Sequence, residues 1–326
     1  MVKEHEKPDE TLTRMLGLTP KNKGELSYAR EWEPGLKAGI DDLIADIKRR
    51  SELPLHEEAR IRKTAELVMD AHKFQTRKDD ITPYFMHQLD VTKKLVNLFG
   101  VTDPLVIQVS LLHDTREDQV EIYDKLMDEL YPDLSGEDKA KHLSLIHLGV
   151  RLLSKLKEPK YTEQYAHLPE PERKAKLLDE YFERMVNPHA FYDKEKTSDD
   201  LAYSPYDDVF IRKMQLVKLS DILSNTGDLI HLFRPGLELS ESATNHPGRF
   251  FPEVVGVAIP NFVEASKQLT DLDKKKFYDE LVYNMGKYSN LDLDDYPNAT
   301  PLKEAVQKEL RDWKLNELKV KYSTAI

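Results

Sequence analysis

Apolar residues recur along this chain at three- and four-residue intervals, a spacing that predicts a succession of helices. Ile40, Leu43, Ile44 and Ile47 begin the pattern in a helix over 40–47. Ile61, Ala65, Val68 and His72 form a stripe that predicts a helix over 56–74, and Val91, Leu95 and Leu98 predict one over 83–99. Leu105, Val109 and Leu112 mark a helix over 104–114, with Pro104 suited to its first turn. Further helices are expected at 122–130, 143–156, 171–185, 208–232, 252–269, 273–288 and 300–322. No sustained alternation bounded by Asn-Gly or Asp-Gly turns marks a strand. Only 12 glycines in the whole chain also suit helices better than a turn-rich β fold. The expected fold class is all-α, with no internal repeat.

Breaks in the pattern divide the chain. Residues 1–34 are polar and interrupted by Pro8, Pro20 and Pro34, so 1–50 is expected to be an N-terminal arm with short helices. A main helical domain is expected over 51–235, with a charged, irregular insertion at about 157–207. Residues 236–326 are then a C-terminal helical extension packed on that domain.

Composition narrows the function classes. A net charge of −11 disfavours a nucleic-acid partner, because phosphate backbones bind basic surfaces. The absence of cysteine excludes disulfides, thiol catalysis and thiolate zinc sites. The N-terminal MVKEHEKPDETLTRMLG has no apolar core of a signal peptide, and no stretch reaches the roughly 18 apolar residues that span a bilayer. A soluble, cytoplasmic protein with no membrane partner is expected; its oligomeric state is left open.

Candidate chemistry centres on Leu111-Leu112-His113-Asp114-Thr115-Arg116-Glu117-Asp118, an apolar run ending in an adjacent His-Asp pair. An imidazole beside a carboxylate offers a nitrogen and a hard oxygen to a divalent cation. In a continuous helix, Glu117 would share a face with His113, four residues earlier. His87 opens the helix after Pro83-Tyr84-Phe85-Met86. In Val217-Lys218-Leu219-Ser220-Asp221-Ile222-Leu223-Ser224-Asn225, helical spacing puts Lys218, Asp221 and Asn225 on one polar stripe of an otherwise buried helix. A buried acid needs a partner or a metal. His87, His113, Asp114 and Asp221 make a plausible set of two nitrogens and two oxygens, suited to Mn²⁺, Fe²⁺ or Zn²⁺, with Mg²⁺ as a further choice. A water activated by such a metal attacks phosphorus at neutral pH, and Glu117 and Asp118 stand where they could orient it or take its proton. Lys218 either binds a phosphate or neutralises nearby acids, and His72 is expected to be structural.

HKFQTRK…TPYFMH, LLHDTRED and VKLSDILSN, in that order, resemble the His-Asp phosphohydrolase domain of the RelA/SpoT family, closest to its stand-alone small alarmone hydrolases. The resemblance covers roughly 55–235. It implies an all-helical HD domain that binds one Mn²⁺ and removes the 3′-pyrophosphate of (p)ppGpp, a small purine nucleotide. Residue by residue, it implies metal ligation by His87, His113, Asp114 and Asp221, and water activation by Glu117 and Asp118. It also implies nucleobase contact by Arg77 and Lys78, and ribose contact by Asn225. The chain departs from the family pattern at Gln88, Arg116, Ile222 and Gly227, and its segment between Asp118 and Asp221 is longer than in the stand-alone hydrolases. These departures bear on base and phosphate specificity. Related substrates such as (p)ppApp, NADPH with its 2′-phosphate or a nucleoside monophosphate, and a catalytically silent alarmone sensor, are the alternatives.

Overall fold

The structure, a computed structural model, describes residues 23–73, 75–77, 82–155, 163–188, 208–228 and 258–289. Its helices are α1 (Lys23–Arg50), α2 (Leu55–Ala71), α3 (Phe85–Asn97), α4 (Pro104–Leu112), α5 (Thr115–Asp118), α6 (Val120–Glu129) and α7 (Gly136–Leu153). A 3₁₀ turn at Glu163–Tyr165 precedes α8 (Glu170–Val186), α9 (Asp208–Asp228), α10 (Ile259–Ala265) and α11 (Asp271–Ser289). The fold is all-helical: among the described residues the only β pairing is one isolated bridge between Thr76 and Pro83. The helix expected at 300–322, about half of the 157–207 stretch and all of 236–257 lie outside the described residues.

Two helices form the centre: α4 is apolar nearly all round, the mark of a buried helix, and α9 is buried over most of its length around one polar stripe. In α4, Val106, Ile107, Val109, Leu111 and Leu112 are all buried. In α9, Met214, Leu216, Val217, Leu219, Ile222 and Leu223 are buried as well. Helix α3 packs between them and against α1; α4 also meets α2 and α7, and α9 meets α8 and α11. Asp103 starts α4 as foreseen from Pro104: its Oδ1 accepts from the N–H groups of Leu105 and Val106 at 3.0 and 3.4 Å.

Two boundaries differ from expectation. Helix α1 runs unbroken from Lys23 to Arg50 with Pro34 inside it, where the sequence reading placed an arm and a shorter helix. A proline inside a helix costs about 3 kcal/mol. Against this, α1 buries Leu36, Ile40, Leu43, Ile44 and Ile47, each of about 1.5–3 kcal/mol, so the apolar stripe wins. Helix α4 stops at Leu112 rather than continuing through Asp114, and a separate single turn, α5, starts at Thr115. This break turns the His-Asp pair into a junction between two helices. Among the described residues, no helix is long and apolar enough to cross a membrane.

Candidate metal centre

Three chain segments meet at the junction between α4 and α5. His87 enters from the first turn of α3, His113 and Asp114 from the end of α4, and Asp221 from the middle of α9. His87, His113 and Asp221 are all buried, and one ligand atom of each lies within 4.8 Å of the others. His87 Nε2 is 3.1 Å from Asp221 Oδ1 and 3.4 Å from Asp114 Oδ2. His113 Nε2 is 3.2 Å from Asp114 Oδ2 and 3.8 Å from Asp221 Oδ1. All four ligand candidates read from the sequence therefore converge.

The far side of each imidazole is tied to the protein. His113 Nδ1 lies 2.7 Å from the carbonyl oxygen of Ser110, which can only accept, so Nδ1 carries the proton. His87 Nδ1 is 3.1 Å from the hydroxyl of Ser224. Both Nε2 atoms are thereby left to face the carboxylates, the arrangement in which metal-binding histidines are held. His113 Nε2 is buried and has no hydrogen bond of proper geometry despite its carboxylate neighbour. A neutral imidazole there would set a lone pair against carboxylate lone pairs, which only a cation reconciles.

The charges lead to the same conclusion. Burial alone would raise the carboxyl pKa of both acids; Lys218 and the two imidazoles hold Asp221 well below the usual carboxylate range, and the same imidazoles do so for Asp114. Burial opposes a charge on His113, yet Asp114 and Asp221 push its pKa up to about 10. The site thus demands positive charge, supplied by a proton when nothing else is bound. Two imidazole nitrogens and two carboxylates fit a first-row divalent cation in place of that proton.

Asp221 is positioned by side chains. Lys218 Nζ donates to its Oδ2 and Asn225 Nδ2 to its Oδ1, both at 2.6 Å. Of the two roles weighed for Lys218, the structure therefore places it on an acid. Asn225 also reaches the opposite wall: Arg77 Nη2 donates to its Oδ1 at 2.9 Å. The Arg77 guanidinium lies 5.6 Å from the centre of the Tyr84 ring. Lys78 falls outside the described residues.

Glu117 and Asp118 sit on α5 beside this cluster. Glu117 Oε2 accepts the backbone N–H of Lys155 at 3.0 Å, and Asp118 is exposed at the rim. The break between α4 and α5 interrupts the continuous helical face expected to join His113 to Glu117, and Glu117 instead bonds to Lys155, just beyond α7. His72 is structural, as foreseen: it is buried, with Nδ1 2.5 Å from Gln75 Oε1 and Nε2 3.2 Å from the Thr115 hydroxyl. Ile222 belongs to the apolar core, and Gln88 is fully buried with neither end of its amide paired.

Tyr84 was not singled out, although it stands inside a quoted motif. Its hydroxyl donates to Asp114 Oδ2 at 3.1 Å, and its ring stacks on His72 at 4.9 Å between centres. Burial, with Asp114 and Asp118 alongside, keeps this phenol protonated far above its usual range. Position three before His87 was its only sequence signal. Lys155 had none, since its N–H reaches Glu117 across a long stretch of chain.

The buried cluster sits within an all-helical frame. The chain is a distant homologue of enzymes named guanosine-3′,5′-bis(diphosphate) 3′-pyrophosphohydrolase MESH1. It is 34% identical to the Xenopus tropicalis protein over 121 residues, which are 37% of this chain and 63% of that one. Against the Mus musculus and Homo sapiens proteins it is 41% identical over 63 residues, 19% of this chain and 35% of theirs. The chain thus spans less than two thirds of the length of these relatives. No family model matches the chain, and no solved structure does.

Proposed function

We propose that the protein is a metal-dependent phosphohydrolase that removes the 3′-pyrophosphate of (p)ppGpp or a related purine alarmone. The observation that carries this reading is the pair of buried imidazoles, each tied at Nδ1 and each aiming Nε2 at Asp114 and Asp221. The partial likeness to named pyrophosphohydrolases supports the choice of substrate class. His87, His113, Asp114 and Asp221 would hold the cation, with Mn²⁺ as the first choice. When bound, such a cation polarises phosphoryl oxygens and lowers the pKa of water.

The remaining roles belong to the chain. One of Glu117 and Asp118 takes a proton from the attacking water, whose oxygen bonds to phosphorus as the bond to the 3′ oxygen breaks; the 3′ oxygen departs as a hydroxyl, with a proton returned by that acid or drawn from solvent. The Lys155 N–H fixes the Glu117 carboxylate for this task. Arg77 and Lys78 pack on the purine, a use suited to a flat guanidinium already leaning on the Tyr84 ring. Asn225, bonded to both Arg77 and Asp221, would contact the ribose.

The test is pyrophosphate release from ppGpp and ppApp by the purified protein, with Mn²⁺ and with EDTA. Mn²⁺-dependent release is expected, and the two substrates rank the bases. Bound Mn²⁺ without release from either substrate would overturn the alarmone reading.

A further inference from the structure

We infer, on the metal-site reading above, that Tyr181 of α8 is a positioning residue for the Asp221 carboxylate, acting through Lys218. The two oxygens of Asp221 have different company. Oδ1 faces His87 Nε2 at 3.1 Å and accepts from Asn225 Nδ2 at 2.6 Å, while Oδ2 takes the Lys218 ammonium at 2.6 Å. A carboxylate with both oxygens free rotates or chelates; one with an ammonium fixed on Oδ2 presents a single oxygen in one orientation.

Lys218 is held there by an aromatic face. Its side chain is only 12% exposed, and Nζ lies 4.9 Å from the centre of the Tyr181 ring, a cation–π distance. The ring itself is anchored. Tyr181 is buried, and its hydroxyl donates to the carbonyl of Leu153 at 2.8 Å. Arg184, one turn along α8 and 5.4 Å from the same ring, donates to the carbonyl of Ser154 at 2.5 Å. These carbonyls end α7 and have no helical partner of their own. The next residue is Lys155, whose N–H fixes Glu117. One aromatic side chain thus stands behind both the metal-ligand acid and the strap that orients the proton acceptor. Without its ring, the Lys218 ammonium can slide toward Oδ1 and compete with the cation for that oxygen.

The measurement is Mn²⁺ affinity of the full chain by calorimetric titration, with circular dichroism as the check on folding. Tyr181→Phe keeps the ring and should bind within about threefold of wild type, whereas Tyr181→Leu should bind roughly 10-fold or more weakly, the usual cost of losing an outer-shell partner. Tyr181→Met fills most of the same volume without a π face, and answers the question where the leucine variant does not fold. In a Lys218→Met background, Tyr181→Leu should change affinity by no more than about twofold, because the group it acts through is gone. Wild-type affinity in the folded ring-less variants, or an undiminished loss in the Lys218→Met background, overturns the role of Tyr181 and leaves the metal site standing. Failure of the wild-type protein to bind Mn²⁺ overturns both.

Discussion

The two sides of the candidate metal centre are built by different means. On the side of α4 and α5, His113 is oriented by a carbonyl three residues before it, so the backbone that makes the helix also aims the imidazole. On the side of α9, Asp221 is aimed by side chains: Lys218 and Asn225 on its own helix, and behind them Tyr181 and Arg77 from distant segments. A carbonyl survives almost any substitution, while an ammonium or an amide does not. The first side should therefore tolerate change around its ligand, and the second should depend on each partner.

The largest effect falls on Asp114, which faces both imidazoles. Asp114 Oδ2 lies 3.4 Å from His87 Nε2 and 3.2 Å from His113 Nε2, and accepts from Tyr84 as well. Asp114→Ala leaves two buried imidazoles with Asp221 alone as counter-charge. Bound metal by elemental analysis and pyrophosphate release should both fall to the EDTA background. A wild-type rate in that variant would end the metal-centre reading.

Next comes Asn225→Ala, which removes the bond to Asp221 Oδ1 and one partner of the Arg77 guanidinium. Mn²⁺ affinity should drop roughly 10- to 100-fold, as for other outer-shell partners of metal ligands. KM for the nucleotide should rise too, because Arg77 loses one of the contacts that orient it. A change in KM with unaltered metal affinity would show that Lys218 alone suffices to hold Asp221.

How much of this was legible follows the same division. His87, His113, Asp114 and Asp221 stand in short motifs whose residue types declare their chemistry, and they do meet. The apolar stripes of α2, α3 and α9 were equally plain, since periodicity is a local property. Lys218 could not be assigned, because an ammonium three residues before an acid is equally a phosphate ligand until its surroundings are known. Tyr181 and Lys155 left no trace, as their value lies in contacts with Lys218 and Glu117 at 37 to 38 residues' distance along the chain. Pro34 misled in the other direction: its helix-breaking tendency is local, and what overrides it is the burial of Leu36 through Ile47 against helices that come later.

His72 offers a pH test of the first side. It is buried between Gln75, Thr115 and the Tyr84 ring, and burial lowers its pKa to about 4 from 6.5. Because the folded-state value is depressed, the unfolded chain takes up this proton first. The neutral form stabilises the fold fully above pH 6.5, and that contribution is lost as pH falls toward 4. Between pH 7 and pH 5 the loss is about 2 kcal/mol by proton linkage. Urea unfolding of metal-free protein at both pH values should show wild type losing that much more than His72→Gln. Equal losses would mean that His72 is protonated within the fold.

The smallest expected effect separates backbone from side-chain support most directly. His87 leans on the Ser224 hydroxyl at 3.1 Å, and His113 on the Ser110 carbonyl at 2.7 Å, so two serines serve the two ligands through different atoms. Ser224→Ala deletes its partner atom and frees the His87 ring to change tautomer or tilt; Mn²⁺ affinity should fall about tenfold, the low end for such partners. Ser110→Ala leaves its carbonyl in place and removes only the hydroxyl, which pairs with Thr92 at 3.0 Å. That change should lower stability by about 1 kcal/mol, the net worth of one hydrogen bond, with Mn²⁺ affinity unmoved. Equal losses of affinity in the two variants would show that the hydroxyls matter through packing, and the division between a backbone-aimed and a side-chain-aimed half of the site would fail.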